Sequence, residues 1–205
     1  MPLLTFQNPI RFDFGAVQKL SGALKREGIE RPFLVTDLGI RASGLLERIT
    51  DMLDNASVAT IYDGTPGNPT EEAVNEALQS YQESDCDGVV CIGGGSPMDL
   101  GKAVALMALS GGPLAQYDPL QGGNKLVKGV APLIAIPTTL SAGEYTHFIG
   151  VTDEDRKVKD LYIDKCLTAK AIFLDPNLLK FLLNHTILLR RNIYKLLQYA
   201  LNSNT

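Results

Sequence analysis

The sequence predicts an α/β fold built on a mostly parallel, doubly wound sheet. Short, almost wholly apolar runs at 31–36, 87–92 and 132–137 are bounded by turn formers, the pattern of strands buried on both faces. Stretches with apolar residues at helical spacing alternate with them, the order expected of βαβ units. Between Asp87-Gly88-Val89-Val90-Cys91-Ile92 and the helix that follows stands a glycine-rich turn, Gly93-Gly94-Gly95-Ser96, around which the rest of the chain is arranged.

The elements follow in order. Ile10 to Phe14 alternates apolar and polar residues and reads as the first strand. Gly15 leads into a helix with Val17, Leu20, Ala23 and Leu24 on one face, ending at Gly28. Arg31 to Thr36 is the second strand and closes on Asp37. Leu45, Leu46, Ile49 and Leu53 form a stripe that predicts a helix over 39–54. Ser57 to Tyr62 is the third strand, followed by a turn at 63–69. Thr70 caps the next helix, and Glu71 and Glu72 in its first turn suit the positive end of the helix dipole. The Asn68-Pro69-Thr70 turn reads as structural. Residues 110–130, rich in Gly and Pro, predict a surface loop beside the site. Pro132 to Pro137 is a strand ending at Thr138 and Thr139, and 145–175 read as short strands around the charged turn Asp153 to Lys159.

The glycine-rich turn carries a strong helix start. Ser96 suits the N-cap, Pro97 the first helical position and Asp99 the third, as in a capping box. Bare backbone ahead of that cap lets an anion approach free N–H groups and the positive end of the dipole, the requirements of a phosphate cradle. Tight turning alone would also ask for glycine here. The run is neither G-x-G-x-x-G nor G-x-x-x-x-G-K-[ST], so neither of those fingerprints applies.

Composition narrows the classes. The chain has 205 residues, 45% of them hydrophobic, and a net charge of −4, as expected of a globular protein with a substantial core. No basic patch with interleaved aromatics points to nucleic acid. Cys86, Cys91 and Cys166 lack zinc spacing and make an odd number, so free thiols in a reducing compartment are expected. No run reaches the roughly 18 apolar residues of a membrane span, and the N-terminus lacks a charged segment followed by an apolar one. A cytoplasmic location is the expectation.

GGGSPMDLGKA at 93–103 resembles the G-G-G-S-x-x-D-x-x-K-A segment of the iron-containing (group III) alcohol dehydrogenases, a superfamily that includes the maleylacetate reductases. FLVTD at 33–37, NPT at 68–70, IPTTLSAGE at 136–144, and VTDEDRKVK through FLDP at 151–176 match in the same order, over about residues 10–177. The resemblance implies the N-terminal, dehydroquinate synthase-like domain of that family, with NAD as cofactor and a small alcohol, aldehyde or keto compound as substrate. It implies cofactor contacts at Asp37, Gly94, Gly95, Ser96, Asp99, Lys102, Thr138, Thr139 and Lys159. At the carboxyl end of its strand Asp37 can accept the adenosine ribose hydroxyls and repel a 2′-phosphate, favouring NAD over NADP, or it can simply cap the helix that follows. Thr138 and Thr139 offer hydroxyls to the ligand or merely continue their strand. Lys159 stands where the family carries a ribose-binding lysine, and the same residue suits a solvated turn. Leu140-Ser141-Ala142-Gly143-Glu144 is one residue shorter than the Gly-Thr-Gly-Ser-Glu run of many members and closer in spacing to the maleylacetate reductases. His147 is a candidate for the nicotinamide side, and more readily a bystander.

The sequence divides at residue 176. Residues 1–176 read as the NAD-binding domain and 177–205 as an atypical helical remnant. The family's second domain holds a divalent metal, iron or zinc, through an Asp and a His four residues apart and two later histidines. From Pro176 onward this chain has no Asp, no Glu and no His beyond His185, so no catalytic or metal ligands are assigned. Four of the 19 basic residues and none of the 23 acidic ones lie there. Leu178, Leu182, Leu189, Ile193, Leu196 and Ala200 recur at helical spacing and predict one amphipathic helix, or two broken near Asn184. Such a tail reads as the product of a frameshift, a splice variant or an unspliced intron, leaving a truncated oxidoreductase weakly active or inactive alone. The rival expectations are a maleylacetate reductase-like enzyme, and a non-catalytic module that binds NAD and pairs with full-length subunits in a homo- or hetero-oligomer.

Overall fold

The computed structural model describes residues 8–53, 60–139 and 141–179. Its strands are β1 (Ile10–Phe12), β2 (Pro32–Val35), β3 (Thr60–Tyr62), β4 (Gly88–Gly93), β5 (Leu133–Pro137), β6 (Phe148–Asp153), β7 (Val158–Ile163) and β8 (Ala171–Leu174). The α-helices are α1 (Leu20–Glu27), α2 (Leu38–Ala42), α3 (Leu45–Thr50), α4 (Glu71–Glu83) and α5 (Gly95–Ser110). Beyond Leu178, the residues of the expected tail helix lie outside the described part, as do positions 57–59 of the third expected strand.

Six strands form one sheet in the order β1-β8-β5-β4-β2-β3, parallel at every pairing. Alternate residues of each strand face opposite layers. Phe33, Val35, Val89, Cys91, Ala135 and Ile172 pack with α4 and α5, whereas Leu34, Val90, Ile92, Ile134, Ile136 and Phe173 pack with α1 and α3. Covering both faces requires strands apolar on both sides, which is why these strands read as unbroken apolar runs. An antiparallel hairpin, β6 with β7, lies outside the sheet and contributes Ile149, Val151 and Tyr162 to the α5 side of the core. Helix α5 is thereby buried between sheet and hairpin, and its sequence is apolar nearly all round instead of striped.

Two expectations about elements are corrected. The helix expected over 39–54 is broken in two, because Gly44 adopts φ +75° between α2 and α3, a backbone state that glycine reaches without strain. Residues 110–130 do not lie beside the site. They form three short 3-10 turns, at 114–117, 119–121 and 123–126. They leave from the far end of α5, which at about 1.5 Å per residue is roughly 22 Å from Gly95.

The winding of the chain places a crevice. After β2 the chain moves outward to β3, whereas after β4 it crosses by α5 to β5 on the other side. The sheet therefore reverses its order between the carboxyl ends of β2 and β4, where ligands of open α/β sheets bind.

Candidate functional site

At that reversal lies a cleft of about 440 Å³, bounded by Asp37–Gly39, Gly64–Gly67 and Gly94–Pro97. Its floor is the β4-to-α5 turn. Gly93 has φ +143°, and a Cβ there would stand 2.7 Å from Pro97 Cγ, so both backbone and space demand glycine. A Cβ on Gly94 would meet Thr139 Cγ2 at 3.0 Å, whereas one on Gly95 would have nothing within 4 Å. The space over Gly95 is a cradle that a side chain would fill.

Gly94, not Ser96, is the N-cap of α5, and Ser96 is the second helical residue. Its hydroxyl donates to Gly67 O at 2.9 Å and so ties the 64–67 turn to the start of the helix. A helix has no internal partners for its first N–H groups, so those of Gly95 and Ser96 remain available, and Pro97 has none to leave unpaired. The capping-box reading placed the helix start two residues late, and the shift leaves the N–H groups for a ligand.

Asp37 takes the capping role open to it and also faces the cleft. It is the N-cap of α2, with Oδ1 accepting from Ile40 N at 2.9 Å. Its Oδ2 lies 3.4 Å from where a Cβ on Gly93 would stand, directed across the cleft floor. Behind it Arg41 of α2 pairs with Asp63, joining that helix to the turn after β3.

The remaining expected residues separate. Thr138 is buried, and its N–H donates to Gly93 O at 3.0 Å, so it supports the floor from below. Thr139 borders a second, smaller cavity of about 190 Å³ with Phe12, Ser141, Glu144, Tyr145 and Leu174. Asp99 faces Lys159 of β7 at 3.7 Å and lies outside the cleft lining. Burial holds its carboxyl above the ordinary value, against the pull of Lys159 and Lys102. Lys102 is fully buried. Its ammonium donates to Gly143 O at 2.5 Å, Thr146 O at 2.6 Å and Phe148 O at 3.2 Å. That is a correction: the ammonium is consumed in fastening the segment before β6 and does not face the crevice. The His147 ring lies tilted against that of Phe148, with centroids 4.4 Å apart.

Sequence reasoning missed the wall at Gly64–Gly67, including Thr65, although the paired glycines around Thr65-Pro66 were a signal of close approach. The structural reading of Asn68-Pro69-Thr70 fits: Thr70 Oγ1 caps α4 by accepting from Ala73 N, and Pro69 O accepts from Thr152 N. Glu144 was read only as part of a motif. It is 2% exposed, accepts a hydrogen bond from Ser141 Oγ, and burial raises its pKa. The folded state then holds this proton more tightly than the unfolded chain does. Its contribution to stability is complete below the ordinary pKa of 4.5 and is lost as pH rises through the raised value. Glu144→Gln is accordingly expected to raise the melting temperature at pH 7 and to change nothing once Glu144 is protonated, which thermal melts over a pH series would check.

The family model for iron-containing alcohol dehydrogenases matches residues 8–176. The chain belongs to the iron-containing alcohol dehydrogenase family. It is 41% identical over 161 residues to a 4-hydroxybutyrate dehydrogenase from Cupriavidus necator, covering 77% of this chain and 42% of that one. It is 35% identical over 167 residues to an NAD-dependent methanol dehydrogenase from Bacillus methanolicus, covering 80% of this chain and 43% of that one. The solved sulfoacetaldehyde reductase from Bifidobacterium kashiwanohense in complex with NAD+ superposes with a TM-score of 0.76 at 26% identity, over 85% of this chain and 46% of that one. The chain thus spans less than half the length of these relatives.

The described residues of this family member fit a dinucleotide, with an open cradle over Gly95 and an acid across from it. They do not fit the family's iron: no group of three or more His, Cys, Asp or Glu among them could hold a metal ion. No helix among them is long and apolar enough to cross a membrane.

Proposed function

We propose that this chain is the dinucleotide-binding part of a nicotinamide-dependent oxidoreductase acting on small alcohols and their aldehydes or ketones. The observation that carries the reading is the unfilled space over Gly95 at the start of α5, opposite Asp37 and at the reversal of the sheet. The Gly95 and Ser96 N–H groups and the α5 dipole hold the pyrophosphate. Asp37 Oδ2 accepts from the adenosine ribose, while Oδ1 keeps α2 in place. Thr139, beside Gly94, closes the cradle toward the nicotinamide end. The bound dinucleotide supplies the hydride acceptor, and the chain binds and orients it.

Asp37 also sets the choice of dinucleotide. A 2′-phosphate about 4 Å from its carboxylate would face a repulsion of about 1–4 kcal/mol, depending on the local dielectric. NAD is therefore preferred over NADP. The test is a fluorescence titration of the purified chain with NADH and with NADPH. Saturable NADH binding and at least tenfold weaker NADPH binding are expected. Asp37→Ser keeps a capping oxygen for α2 and removes the charge, so the preference should shrink to a few-fold with the fold intact. A folded chain without saturable NADH binding would overturn the proposal.

A further inference from the structure

Two threonine hydroxyls at the head of the cleft lack partners. Thr36 is fully buried at the end of β2, and Thr65 is 7% exposed in the wall of the cleft. Oγ1 of each is shielded from solvent, with no hydrogen-bond partner in the structure. They are neighbours across one short backbone pairing. Asp37 and Gly64 form an antiparallel bridge, so the residues flanking it, Thr36 and Thr65, stand opposite each other. An unpaired buried hydroxyl costs about 1–3 kcal/mol, and such a group in a native fold calls for a reason.

Only one of the two reaches the cleft. Thr65 lines it together with Asp37, Gly95 and Ser96, and Thr36 does not. A threonine turns its hydroxyl into the place of its methyl by one χ1 rotation between staggered wells, without backbone movement. The chemistry asked for beside Asp37 is also incomplete. A ribose diol both donates and accepts, whereas a carboxylate accepts only. Thr65 Oγ1 can donate to a ribose hydroxyl that itself donates to Asp37.

We infer that Thr65 is a further dinucleotide-binding residue, whose hydroxyl gains its hydrogen bond from the adenosine ribose when the cofactor enters. This rests on the dinucleotide reading above. The unliganded chain carries the unpaired hydroxyl, and binding relieves it, so the residue favours occupancy of the cleft.

The test compares wild type, Thr65→Val, Thr65→Ser and Thr36→Val in titrations with NADH and with ADP-ribose, alongside thermal melts without ligand. Thr65→Val should weaken both ligands about tenfold and melt no lower than wild type, because it deletes an unpaired buried hydroxyl. Thr65→Ser should bind within about twofold of wild type, and so should Thr36→Val. Equal binding by Thr65→Val and wild type would overturn the inference and give the hydroxyl to an internal water or to Thr36. Equal loss in Thr65→Ser and Thr65→Val would also overturn it, by assigning the effect to the lost or altered methyl packing. A lower melting temperature for Thr65→Val would show a structural hydroxyl and overturn it too. Failure of wild type to bind either ligand would instead remove the underlying dinucleotide reading.

Discussion

Gly95→Val is expected to abolish dinucleotide binding while leaving the chain as stable as wild type. The new Cβ enters space with no atom within 4 Å, so nothing in the folded chain resists it. The two methyl groups beyond it occupy the volume where a pyrophosphate would sit against the first N–H groups of α5. Helix propensity does not oppose the change, since valine is no worse than glycine in a helix. The expected loss in NADH affinity is at least 100-fold, about 2.7 kcal/mol, with an unchanged urea midpoint. The neighbouring glycine would behave otherwise. Any side chain on Gly93 meets Pro97 at 2.7 Å and needs φ +143°, so Gly93→Val should unfold the turn along with the site. Equilibrium titration and urea unfolding on the two variants separate a blocked cradle from a broken one.

Lys102→Met is expected to cost about 3 kcal/mol or more of stability, the usual scale for charge-assisted hydrogen bonds lost from the interior. Methionine nearly matches the lysine stem, so little cavity forms, and the loss falls on the carbonyls of Gly143, Thr146 and Phe148. Burial pulls the Lys102 pKa down, with Asp99 opposing, so the ammonium bears a desolvation cost that its three acceptors must exceed. For a chain of this size the melting temperature should fall by roughly 6–12 °C. Because these carbonyls fasten the connection from the β5 end to β6, the variant should bind NADH less tightly only to the extent that Thr139 loses its place. An unchanged melting temperature would mean that the three acceptors find water or other donors without cost.

Much of this was legible in the sequence for a physical reason. Strands covered on both faces must be apolar throughout, so 31–36, 87–92 and 132–137 could be read without knowing which helix covers which side. The cradle was legible because Gly93 and Gly94 have no room for side chains. Lys102 was misread because local sequence does not distinguish a lysine facing a crevice from one facing inward. Only the tertiary arrangement supplies carbonyls from 143–148 to residue 102. Thr65 went unnoticed because its significance lies in a missing partner, which no spacing encodes. The broken helix at Gly44 shows the same limit. An apolar stripe continues through a glycine, and the left-handed backbone at Gly44 ends one helix and starts the next without a break in that stripe.

The sheet closes on its own beginning. β1 pairs with β8, and Asp175, just after β8, accepts hydrogen bonds from the N–H groups of Gly15 and Val17, just after β1. Gly15 and its acceptor are 160 residues apart. At translation rates of about 5–20 residues per second, the first strand waits on the order of ten seconds for its partner to be made. Phe12 and Phe14 are 74% and 70% exposed even after the sheet is complete. A nascent chain therefore presents an unpaired strand edge, with Phe12 and Phe14 at its carboxyl end, until β8 has been made. That edge is where a chaperone would be needed, and where neighbouring chains on one polysome would meet first.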